Sequence, residues 1–152
     1  MSYDIHAYVE SKKQLFAKLY LEQDYQIFAV LAGRPFTDGD STKQLRGFPQ
    51  DADRRIEYDY TIWISESGLS SDRSIQCCTK EKAEQWIIKG LSKRVHEDII
   101  TDPDVFNTHH MDYLELKKTL NFIPLSLLPR GYSILLDLMG KLPDSRFIFW
   151  FK

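Results

Sequence analysis

Two adjacent histidines, His109 and His110, stand in the stretch Thr101 to Leu120, with Asp104 upstream and Asp112 just beyond. Imidazoles and carboxylates bind divalent metals and move protons near neutral pH, and a carboxylate beside an imidazole orients it as a base or completes a metal shell. Asp4 and His6 form a second pair, and residues two apart on a strand share a face. If the N-terminal strand meets the histidine stretch, Asp4, His6, His109, His110 and Asp112 make a candidate site for zinc or a hard divalent metal. The chemistry would then be metal-assisted hydrolysis of a phosphodiester or nucleotide. A divalent metal is the one cofactor called for, and only on that reading. The competing reading places Asp4 and His6 on the solvent face of an edge strand and makes Asp112 a helix cap beside solvated histidines. No HExxH or comparable array occurs, and adjacent histidines on extended backbone point opposite ways.

A second chemistry lies in the polar stretch from Arg34 to Arg55. It carries two glycines, two prolines and the run Arg46-Gly47-Phe48-Pro49-Gln50-Asp51. An exposed guanidinium beside a glycine meets a phosphate or carboxylate with its bidentate fork. The ligand-binding residues expected here are Arg34, Arg46 and Asp51, with Arg54 and Arg55 as further cations; a rigid turn with solvated charges is the alternative. Long loops of this kind inside small domains are often functional. Cys77 and Cys78 precede a helix start, but no activating base stands near, so they are read as structural.

The elements that must carry these groups follow from periodicity. Tyr3 to Val9 alternates as a half-buried strand, Ser11-Lys12-Lys13 reads as a turn, and Gln14 to Leu21 as the return strand. Asp24 caps a helix from Tyr25 to Ala32 that Gly33 and Pro35 end. Ile56 to Ile64 has the cleanest alternation in the chain and predicts a central strand with Ile62 and Ile64 buried. Thr79 caps a helix over 80–89, Leu91 to Asn107 is irregular, and Asp112 caps a helix to about Asn121. Gly131 to Met139 is a last helix, and Arg146 to Phe151 a buried strand. The fold class expected is α+β, a single compact domain over residues 1–152 with a mostly antiparallel sheet and several short helices.

With 43% hydrophobic residues, 28% charged residues and a net charge of −2, the chain has the composition of a soluble globular protein and no electrostatic case for general nucleic-acid binding. Two neighbouring cysteines exclude a disulfide scaffold, the charged N-terminus is not a signal peptide, and no apolar run approaches membrane-spanning length. A cytoplasmic location and no membrane partner are expected. The oligomeric state is not encoded in any pattern found.

In order along the chain, YDIHAYVE, YQIFAVLAGRPF, RGFPQDAD, YDYTIWIS, THHMDYLEL and SRFIFWF resemble a family of uncharacterised phage and prophage proteins. Proteins of that kind open with an Asp-Ile-His strand and carry an Arg-Gly-x-Pro-x-Asp loop. A His-rich turn then precedes a Leu-x-Leu helix, and an Arg-aliphatic-Phe strand closes the chain. This chain departs from them at Pro103-Asp104-Val105-Phe106, where a Pro-Asp-Trp-His turn is usual, and in ending Phe151-Lys152. The resemblance implies a phage or prophage origin, with a host cytoplasm as the place of action. The expected function is that of an intracellular accessory protein that binds a host factor or a small anionic, nucleotide-like ligand, in an anti-host or anti-defence role. The alternative is the metal-dependent hydrolase described above.

Overall fold

The computed structural model describes residues 3–33, 45–72 and 75–152. Among them are five α-helices and eight strands in two mostly antiparallel sheets, an α+β architecture with short helices, as the periodicity predicts. By contacts the chain forms two compact units: Met1–Asp53 with Phe106–Lys152, and Arg54–Val105.

The first unit is built on a sheet of β1 (Ile5–Ser11), β2 (Gln14–Leu19), β7 (Phe106–Asp112) and β8 (Ser145–Phe151), in the order β2-β1-β8-β7 with every pair antiparallel. The C-terminal aromatic strand β8 is therefore interior, and its full length pairs with β1, from Ile5 opposite Phe151 to Ser11 opposite Ser145. Alternation sends Ile5, Ala7, Val9, Met111, Phe147, Phe149 and Phe151 to one face. There they form a core with α1 (Tyr25–Leu31), α4 (Tyr113–Leu120) and α5 (Arg130–Gly140). The caps are those that the sequence announces. The Asp24 carboxylate accepts from the Gln26 and Ile27 amides, and Gly33 follows with a left-handed φ of 84°. Asp112 and Glu115 cap α4 reciprocally, each side chain accepting from the other's backbone amide.

The opposite face of this sheet is also closed. Tyr8, Glu10, Ile148 and Trp150 are buried there. Residues 45–53 cross it, with Phe48 against Trp150 at 6.0 Å between ring centroids. The reading of Tyr3 to Val9 as a half-buried strand is thereby corrected: alternation identifies two faces, and a strap of chain from far along the sequence covers the second.

In the second unit, β3 (Thr61–Ile64), β4 (Cys77–Cys78), β5 (Arg94–His96) and β6 (Ile99–Thr101) make a sheet in the order β4-β3-β6-β5. Helix α3 (Lys80–Ile88), capped by Thr79, supplies Ala83 to a small core of Ile62, Cys78 and Ile100. The predicted strand Ile56–Ile64 is instead helix α2 (Arg54–Tyr60) running into β3. Of the helix only Ile56 is buried, and the Thr61 hydroxyl donates back to the Glu57 carbonyl at 2.9 Å. Alternating tyrosines and carboxylates fit either backbone, so propensity does not decide between them. Ile62 is buried as predicted, whereas Ile64 is only partly so. The stretch 91–107, predicted irregular, holds β5, β6 and the start of β7; strands of three residues are too short to show a period. No helix among the described residues is long and apolar enough to cross a membrane.

Candidate functional site

The candidate metal ligands fall on one sheet without converging. His6 lies on β1 opposite Trp150, and the two rings stack at 5.8 Å. His109 and His110 are not in a turn but inside β7, opposite Phe149 and Ile148. Extended backbone sends His109 to the core face, where it is 1% exposed, and His110 to the other. Strand β8 separates His110 from His6, which shares its face. Asp112 is engaged as the α4 cap, and Asp4 lies just before β1, its amide bonded to the Lys152 carbonyl. Among the described residues no group of three or more His, Cys, Asp or Glu side chains is placed to hold a metal ion.

What the two histidines do is hold the strap at the free edge of β7. The Arg46 amide donates to His109 Nδ1 at 2.8 Å, which assigns the ring proton of a neutral His109 to Nε2. His110 Nδ1 lies 3.0 Å from the Gly47 carbonyl, so there the proton belongs on Nδ1. The Gly47 amide donates to the Thr108 carbonyl at 3.2 Å. Gly47 has a φ of 76°, a left-handed backbone that a side chain would strain. The sequence singles out these histidines as metal ligands and this Arg-Gly turn as a ligand contact; the structure joins the two to each other instead. Their contact with each other spans more than sixty residues of chain, and no local pattern encodes it.

Charged groups fasten the rest of the strap. Arg46 forms a bidentate pair with Glu115, its Nη1 donating to Oε1 at 2.8 Å and its Nη2 to Oε2. Those bonds raise the Arg46 pKa above its ordinary value against the opposing effect of burial. Asp51 accepts from Arg146 Nη1 at 2.8 Å and sits 3.3 Å from Lys13 Nζ. The hydrogen bonds from Arg146 and Lys13 lower its carboxyl to about 2. Glu10, 1% exposed, accepts from Arg146 Nε at 2.8 Å and Nη2 at 2.5 Å, and from the Asp53 amide at 2.7 Å. The Asp53 carboxylate in turn accepts from the Leu15 amide at 2.7 Å. The strap therefore touches all four strands in turn: β7 through Arg46 and Gly47, β8 through Phe48 and Asp51, and β1 and β2 through Asp53.

At its edge opens a cavity of about 680 Å³. Lys12, Lys13, Arg46 and Arg146 line it together with His110, facing the carboxylates Glu10, Asp112, Glu115 and Asp144. Lys12 and Lys13 are the two central residues of the β1–β2 hairpin, and both have left-handed backbones, with φ of 54° and 62°. Such a turn favours Asn and Gly; non-glycine residues held there cost about 1–3 kcal/mol each, and such outliers concentrate at functional sites. Of the expected ligand-binding residues, Arg46 lines this cavity and Asp51 bonds two residues that do. Arg34 lies outside the described residues. The cation set that sequence reasoning missed, Lys12, Lys13 and Arg146, carries no local motif. Only the hairpin turn, read as such, hinted at the lysines.

Cys77 and Cys78 are free thiols in β4, and burial together with Cys77 pushes the Cys78 thiol up, away from thiolate chemistry. None of the protein-family models, curated proteins and solved structures compared with the chain matches it.

Proposed function

We propose that this chain is a ligand-binding protein of the phage or prophage accessory kind, taking a small anionic, nucleotide-like ligand in the cavity beside the strap. One observation carries the reading: four cations from three separate parts of the chain, Lys12 and Lys13, Arg46, and Arg146, line a single cavity. Its volume lies in the range of small-molecule sites. Glu10 is already satisfied by Arg146 and the Asp53 amide, so that pair is part of the frame. The exposed pairs are different in kind. Surface ion pairs contribute about 0–1 kcal/mol, so an anion can exchange with them at small cost. Asp112, Glu115 and Asp144, which line the same cavity, suit the hydroxyl and amino donors of the remainder of such a ligand.

The test is a thermal-shift and calorimetric titration with mononucleotides, comparing the wild type with Arg46→Ala. The reading expects the wild type to be stabilised and the variant, folded normally, to lose most of the binding. A wild type indifferent to every mononucleotide would overturn it. Hydrolysis through Asp4, His6, His109, His110 and Asp112 has no comparable convergence of side chains in its favour.

A further inference from the structure

We infer that the Asp51 carboxylate stands in for the ligand's own anionic group, and that the group which displaces it is a phosphate. This rests on the reading of the cavity as an anion site. Asp51 is held by two cavity-lining cations, Arg146 at 2.8 Å and Lys13 at 3.3 Å, yet its side chain is 49% exposed. A carboxylate so placed is a bound anion supplied by the chain itself. It belongs to the strap, whose other anchors do not depend on it: Arg46 on Glu115, Gly47 on Thr108, and Asp53 on Glu10 and Leu15. Asp51 can therefore leave its partners without the strap detaching.

The same tether decides what can replace it. A side chain held next to its partners acts at an effective concentration in the millimolar range, as short flexible linkages do. A free monocarboxylate offers the same two oxygens and the same single charge, so it competes only at comparable concentrations. A phosphate brings about −1.5 to −2 charges at neutral pH and three acceptor oxygens. One of them takes the place of the Asp51 oxygen on Arg146 Nη1, the donor that Glu10 leaves free, and the others are acceptors for the lysines of the turn. Lys12 lines the cavity, has no ion-pair partner among the described residues, and is the donor that a carboxylate leaves unused. Phosphate thus satisfies a cation that Asp51 does not.

The experiment is calorimetric titration at constant ionic strength with inorganic phosphate, pyrophosphate and acetate. It uses the wild type, Asp51→Asn, Asp51→Ala and Arg46→Ala, each checked for an unchanged fold by its circular dichroism. Removing the internal competitor should tighten phosphate by about tenfold in both Asp51 variants, and pyrophosphate by at least as much. Acetate should remain the weakest ligand of the wild type. Equal phosphate affinity in the wild type and both Asp51 variants would overturn the stand-in role; if Arg46→Ala still abolished mononucleotide binding, the anion-site reading would survive. Acetate binding as tightly as phosphate would overturn the phosphate assignment. No phosphate binding by any form would remove the inference, while mononucleotide stabilisation would decide the fate of the reading beneath it.

Discussion

The two sheets among the described residues have four strands each and almost nothing else in common. In the first unit three of the four strands are seven residues long, the interior strand β8 is mostly aromatic or aliphatic, and both faces are closed. In the second the strands run from two to four residues, four side chains make the core, and β5 is exposed along its length. Apolar burial is the main favourable term in folding, so stability is concentrated in the unit that also holds the cavity. The difference teaches that the strap residues are fixed by a rigid platform, and a site needs such a platform to keep its geometry.

The sharpest way to break this comparison is to damage the platform where polarity and burial meet. Arg146→Ala leaves the buried Glu10 carboxylate with one amide donor, and breaking a buried pair in this manner costs about 3–5 kcal/mol. Urea denaturation should show that loss. The double variant Glu10→Gln with Arg146→Met should recover a large part of it. An Arg146→Ala protein as stable as the wild type would mean that the second face is not closed as described.

A smaller effect is expected in the second unit. Ile100→Ala deletes a fully buried side chain, but the core around it is small and can collapse, so the cost falls near the low end for such changes, about 2–3 kcal/mol. Hydrogen exchange should accelerate in β3 and β6 while the β1 and β8 amides keep their protection. Equal acceleration everywhere would join the two units into one cooperative transition, and the contrast between them would fall.

How much of this was legible in the sequence depends on the range of the interaction. Caps at Asp24, Thr79 and Asp112, the β1–β2 hairpin and the buried strand β8 are local matters of side-chain type and spacing, and each stands where its residues place it. The helix at Arg54–Tyr60 is a local matter misread, because its alternating tyrosines satisfy two backbones equally. Glu10, Asp51 and Arg146 are another case. They meet across 95 and 136 residues of chain, and no period or motif links them. The histidine pair stands out in the sequence as candidate metal ligands, whereas the partners of its ring nitrogens are backbone groups of the strap, which no local pattern announces.

Weaker effects separate the frame from the exchangeable pairs. Arg46→Ala removes a half-exposed ion pair and should change stability by no more than about 0–1 kcal/mol, far less than its effect on ligand binding. A loss of several kcal/mol would instead make Arg46 part of the frame. The smallest effect is the titration of Asp51. Its folded pKa, about 2, lies below the unfolded value of about 3.9. Its contribution is therefore complete above pH 4 and disappears as pH falls towards 2. Over that window the wild type should lose slightly more stability than Asp51→Asn, measured by thermal melts at each pH. Parallel curves would show that the Arg146 and Lys13 contacts with Asp51 contribute nothing to folding.

The lysine turn has a consequence for anyone who engineers this protein. Asn at position 12 and Gly at position 13 are the residues that a two-residue left-handed hairpin prefers. A library screened for thermostability would therefore drift towards them, since relieving unfavourable backbone is among the commonest routes to a stabler variant. Every such winner would have lost both ammonium groups from the cavity mouth. Heat resistance and ligand capture make opposite demands on the same two codons, and a screen that scores only the first would erase the second without any visible sign in the fold.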